Sequence, residues 1–257
     1  MGRTKKKKQD PLDSTMSLGD HLEELRARLI LAIIGLVIGA IICLCFGTRI
    51  IAFIKAPYTK LSDDPLVTLG PADAFIAYMK ISLIAGLILS SPWVFYQLWM
   101  FVAAGLYPKE KRYVHMAVPF SVVLFVTGAL FFLFVVAPIS LRFFLKFGDI
   151  IGVDPNWTLQ KYVSFITMLM LVFGIGFQTP IAIFILNRTG LVSIRALRRS
   201  RKYILLAMFI LAAMATPPDV ISQVTLALPL YCLFELGILL SYFAERRKAH
   251  KTSSDKL

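Results

Sequence analysis

Leu29–Thr48 reads L-I-L-A-I-I-G-L-V-I-G-A-I-I-C-L-C-F-G-T, 20 residues without a charge between Arg28 and Arg49. At about 1.5 Å per residue, a helix of that length covers the roughly 30 Å hydrocarbon core of a bilayer. Further uncharged runs follow: 28 residues between Lys80 and Lys109, 29 between Arg112 and Arg142 with His115 near the start, and 26 between Lys161 and Arg188. Of the 257 residues 58% are hydrophobic and 17% charged, against roughly half and about a quarter in a soluble domain. With a mean hydropathy of +0.74, the chain is expected to be an all-α polytopic membrane protein.

After Lys202 come 16 uncharged residues, Tyr203–Pro218, then Asp219, then 15 more before Glu235. T-P-P-D at 216–219 is a turn signal, so this segment predicts two short crossings. The expected spans are 28–48, 75–104, 113–138, 161–187, 202–217 and 220–241. They lie in a membrane domain over 17–243, flanked by basic tails at 1–16 and 244–257.

Net charge is +13, and its placement gives an orientation. Six spans put 21 Lys and Arg on one side and 7 on the other, which predicts both termini in the cytoplasm. Five spans would carry the basic stretch Arg246–Lys256 to the outside. The run Lys5–Lys8 lacks the adjacent apolar core of a signal peptide and the aromatic interleaving of a nucleic-acid face. It reads as attraction to anionic headgroups of the lipid bilayer, with no nucleic acid as partner.

Catalytic signatures are missing. His21, His115 and His250 have no second histidine or cysteine within a helical turn, and Cys43, Cys45 and Cys232 show no disulfide or metal spacing. H-E-x-x-H, G-x-S-x-G and the glycine-rich phosphate loops are not found. The expectation is no enzyme, no cofactor and no metal. A small-solute secondary transporter is the rival reading, but polar groups near the midplane are few for one; an intramembrane protease would need a nucleophile or paired aspartates.

The remaining polar residues are therefore informative. Gln178, in F-G-I-G-F-Q-T-P (Phe173–Pro180), is either an amide bonded to a neighbouring helix or a polar docking point for a partner helix. Asp219 is placed to cap the last helix, and Glu235 lies toward the cytoplasmic end of its span. In S-L-G-D-H-L-E-E-L-R-A-R-L (Ser17–Leu29), Glu24 and Arg28 form an i,i+4 pair, and Glu24 shares a stripe with His21, Leu25 and Arg28. Glu110, in G-L-Y-P-K-E-K-R, stands in the loop joining spans two and three, which the charge count also makes cytoplasmic. Two carboxylates on one rim either balance adjacent cations or form a site.

Several of these segments resemble the TatC family of twin-arginine protein translocases, over Ser17–Tyr242. The similar stretches are H-L-E-E-L-R-A-R, A-P-Y at Ala56–Tyr58, Ser91–Arg112, F-G-I-G-F-Q-T-P, T-P-P-D-V-I-S-Q at Thr216–Gln223, and L-P-L-Y-C-L-F-E at Leu228–Glu235. The resemblance implies six helices in a cupped, glove-like wall in the bacterial cytoplasmic (inner) membrane. It also implies binding of the R-R signal peptides of folded cargo, assembly with TatA/TatB-type single-span proteins and other TatC copies, and export driven by the proton motive force. By the same likeness Glu24 and Glu110 match the acidic positions of signal-peptide recognition, with His21, Leu25, Arg26, Phe101 and Tyr107 beside them. Pro57, Asp219 and Gln223 match functional outer-face positions. Gln178 stands where many relatives carry Glu, and a neutral amide cannot titrate.

Overall fold

The structure is a computed structural model describing residues 18–105, 111–153, 156–215 and 220–254. Glu110, Tyr107 and Asp219, three of the expected site residues, lie outside the described residues. Among the described residues ten α-helices follow one another: α1 Leu18–Cys45, α2 Gly47–Thr59, α3 Asp73–Ala104, α4 Lys111–Phe131, α5 Ala137–Ile151, α6 Leu159–Gly176, α7 Thr179–Arg188, α8 Ile194–Arg199, α9 Arg201–Ala215 and α10 Val220–Ser254. The only β pairing among the described residues is an isolated bridge between Val67 and Thr158. The fold is all-α.

Among the described residues five helical segments are long and apolar enough to cross a membrane: His21–Cys45, Asp73–Ala104, Met116–Ile151, Leu159–Arg188 and Val220–Arg246. The third runs past 138, where sequence reading ended the span, through a π turn at Phe132–Val136 that joins α4 to α5. Pro138 enters in the first turn of α5, where a missing N–H is tolerated. Helix α9 has 15 residues and is short as expected, but the segment that follows it, Val220–Arg246, has 27, so the expectation of two short crossings is corrected for the last one.

The core lies where α4, the π turn and α6 meet. Phe132, Leu133, Ile166, Leu169 and Phe173 are all fully buried there. Helix α3 packs between α1 on one side and α4 and α6 on the other, while α10 packs on α7 and α9. At the end where α1 finishes, a cap forms. Pro57 and Tyr58 of α2 are buried, and the Tyr58 ring meets those of Trp157 and Tyr162 at 5.5 and 5.6 Å. Tyr162 donates its hydroxyl to the Ile54 carbonyl at 2.8 Å. Backbone bonds Val67 N–H to Trp157 O and Leu159 N–H to Val67 O, at 3.0 and 2.9 Å, tie the two loops at this end.

Helix α1 touches the rest through one face. Its leucines and isoleucines are otherwise exposed, from Leu22 to Ile42. The contact is made by small residues: a Cβ on Gly39 would sit 2.6 Å from the Gly86 carbonyl oxygen, and one on Gly86 would sit 2.6 Å from the Ala40 backbone. Gly35 meets the Trp93 ring in the same way. G-L-V-I-G at 35–39 is thus a small-x-x-x-small helix-packing motif. At either side of the crossing α3 donates to α1 carbonyls, Trp93 Nε1 to Leu31 O at 2.8 Å and the Tyr78 hydroxyl to Leu44 O.

At the other edge of the molecule α9 is clipped to α10 twice. Gln223 Nε2 donates to the Phe209 carbonyl at 2.9 Å, and Arg201 pairs with Glu235 at 2.6 Å. The Tyr231 hydroxyl donates to the other Glu235 oxygen at 2.9 Å.

Gly86→Ala tests the glycine crossing. The added methyl meets backbone rather than a movable side chain, so unfolding in detergent should show about 1–3 kcal/mol of lost stability. A change below about 0.5 kcal/mol, the scale of an ordinary surface substitution, would mean the helices do not approach this closely.

Candidate functional site, a carboxylate rim where the first helix enters

The first turns of α1 lie against the last turns of α3. The His21 ring stacks on Phe101, with centroids 4.6 Å apart, and Gly105 leaves room beside it. One and two turns further along, Glu24 Oε1 accepts from Arg28 Nε at 2.7 Å, and Arg28 Nη1 donates to Gln97 Oε1 at 3.1 Å. Gln97 is 1% exposed, so a buried amide on α3 fixes the guanidinium, and the guanidinium fixes the carboxylate.

Glu24 keeps 27% of its side-chain surface open. One oxygen is thus held in place, while the group as a whole still faces outward. Charge-assisted bonds of this kind are short and directional, and a carboxylate has room for further donors on its remaining lone pairs. Leu25 and Arg26, one and two positions on, are exposed. The structure therefore brings His21, Glu24 and Phe101 together, leaves Leu25 and Arg26 on the open surface beside them, and does not describe Tyr107 or Glu110.

Gln97 and Arg28 were missed as site residues by sequence reading. Gln97 carried a signal, an amide inside the uncharged run between Lys80 and Lys109, of the kind already recognised at Gln178.

Gln178 precedes α7 and points inward. Its Nε2 donates to the Ser121 carbonyl of α4 at 2.9 Å, and the Ser121 hydroxyl accepts from Trp99 Nε1 of α3 at 2.8 Å. Ser121 thereby joins three helices. The Gln178 Oε1 atom is buried and has no hydrogen-bond partner among the described residues. Pro57 lies buried in the cap at the opposite end from Glu24, and Gln223 is the α9 clip described above. Cys43, Cys45 and Cys232 are free thiols, and among the described residues no cluster of His, Cys, Asp and Glu could hold a metal ion.

In sequence and overall fold the chain is similar to known proteins. A family profile described as "Sec-independent protein translocase protein (TatC)" matches residues 20–229. The Sec-independent protein translocase protein TatC of Carboxydothermus hydrogenoformans is 39% identical over 237 residues, covering 92% of this chain and 97% of that one. That of Escherichia coli K12 is 36% identical and covers 90% of each. A crystal structure of the twin arginine translocase receptor TatC superimposes with a TM-score of 0.80 at 37% identity, over 88% of this chain and 99% of that one. The chain belongs to the TatC family of Sec-independent protein translocase proteins.

Proposed function

We propose that this chain is the signal-peptide receptor of a twin-arginine translocase, and that Glu24 and Glu110 together grip the consecutive arginines of an incoming leader. As a TatC protein it is a non-enzymatic translocase component, so the task of its rim is selective binding. The observation that carries the reading is the partly open Glu24 carboxylate, held from behind by Arg28 and, through it, Gln97.

A guanidinium presents a planar fork of donors that a carboxylate accepts in two parallel bonds, and a lysine ammonium cannot copy it. The fixed pose of Glu24 lowers the entropy lost on binding. Glu110 directly precedes Lys111, where α4 begins, and the end of α3 that leads into this loop lies against His21. This connection supports a shared rim. His21, Leu25, Arg26, Phe101 and Tyr107 would line the approach, the exposed leucine meeting the apolar part of a leader.

The same reading takes α9 as a sixth crossing, with both termini in the cytoplasm, in a bacterial inner membrane and in a glove-like arrangement. The basic-residue count supports it. At 15 residues α9 is about 22 Å long, short for a roughly 30 Å core, so the bilayer beside α9 would thin, at a cost of fractions of a kcal/mol per Å. TatA/TatB-type single-span helices would dock on this side and beside Gln178, whose Oε1 is left without a partner among the described residues. Assembly with other TatC copies, and export driven by the proton motive force, complete the proposal; Pro57, Asp219 and Gln223 act at the outer face.

Purified full-length protein should bind an R-R signal peptide at least tenfold more tightly than its K-K counterpart. Glu24→Ala and Glu110→Ala should each remove most of that preference; equal affinity for the two peptides would contradict the carboxylate grip. For the docking role, Gln178→Leu should lower co-purification of a TatB-type partner as well as costing about 1 kcal/mol of stability. Lost stability with undiminished partner binding would assign Gln178 to internal packing alone.

A further inference from the structure

At the capped end, away from Glu24, a cavity of about 590 Å³ opens between α5, the start of α6 and the loop before α3. That volume falls within the roughly 300–1,000 Å³ of ligand sites. Leu141, Phe144 and Phe165 give it an apolar lining. Its edge is cationic and hydroxylic. Lys161 lines it, and Lys80 reaches it by donating from Nζ to Ser164 Oγ at 2.9 Å. No carboxylate is among its described lining residues.

Thr158 lines the same cavity at 6% exposure, and its Oγ1 is buried with no hydrogen-bond partner among the described residues. It occupies the N-cap of α6, a position whose hydroxyl ordinarily bonds a helix N–H, yet makes no such bond here. A buried, unpaired hydroxyl is costly unless something meets it. Two lysines, an unused hydroxyl and the positive end of an 18-residue helix thus converge above an apolar slot.

We infer that this cavity holds one acyl chain of an anionic phospholipid, with the phosphate between Lys80 and Lys161 and within reach of the Thr158 hydroxyl. The charge complementarity is that of a lysine-held phosphate, and lysines near the ends of membrane helices extend their ammonium groups to the headgroup level. A lipid seated there would brace α5 against α6 beside the Tyr58–Trp157 stack, making the cap depend on lipid composition. The inference rests on the membrane reading of the chain and is independent of the carboxylate rim.

The test uses full-length protein in a neutral detergent, offered phosphatidylglycerol, phosphatidylcholine with the same acyl chains, or inorganic phosphate. Retained lipid is read by native mass spectrometry and unfolding temperature by a thermal scan. Phosphatidylglycerol should be retained at least fivefold more than phosphatidylcholine and should raise the unfolding temperature, whereas phosphate alone should not. The double variant Lys80→Gln/Lys161→Gln should bring phosphatidylglycerol down to the phosphatidylcholine level. Thr158→Val, of similar shape, should weaken retention in the same direction. Equal retention of the two lipids, stabilisation by phosphate alone, or an undiminished phosphatidylglycerol preference in the double lysine variant would overturn the assignment.

Discussion

A helix that is apolar on every face gains little by packing in lipid, because the acyl chains are as good a solvent for leucine as another helix is. It can be held in one place only where backbones come close enough for dense contact and for polar groups to bond across the seam. Helix α1 meets that condition at one strip, where Gly39 and Gly86 cross and Trp93 and Tyr78 bond α1 carbonyls on either side. Everything at the rim hangs from this strip. It sets the depth and rotation of α1, and so brings Arg28 to Gln97 and His21 to Phe101.

The two ends of the molecule are built differently. The capped end is a cluster of aromatic rings and backbone bonds around Tyr58. The rim end holds its carboxylate by a chain of single bonds, from Gln97 to Arg28 to Glu24. An incoming arginine would therefore meet an acceptor already oriented, and would share it with Arg28 rather than reorganise it. Removing Arg28 or Gln97 would leave Glu24 unaimed. At the far edge α9 depends on two polar clips, Gln223 to Phe209 and Glu235 to Arg201, which suits a helix that has few other neighbours.

Much of the architecture was legible in the sequence because lipid imposes it. Long uncharged runs such as Leu29–Thr48 admit no soluble fold, and α1, α3, α6 with α7, and α10 appear where those runs lie. The i,i+4 pair of Glu24 and Arg28 was legible too, and forms. The pairing of helices was less so. G-L-V-I-G at 35–39 marks a packing face, but nothing in the sequence says that its partner is Gly86 of the same chain. The third crossing stays helical to Ile151, past the expected end at 138, with a π turn at Phe132–Val136 just before Pro138. The Gln178 amide was weighed between an internal bond and a docking role; its Nε2 makes the internal bond, to a Ser121 carbonyl that only the tertiary fold brings near.

The account turns on Glu24 sitting where a leader's arginine pair arrives. The most direct measurement places a photoreactive side chain at position 24 of the full-length protein, adds a signal peptide, and maps the adduct by mass spectrometry. The account predicts adducts at the R-R pair or the residues adjoining it. Adducts confined to the apolar segment of the leader, or none at position 24 under conditions where the peptide is bound, would contradict it.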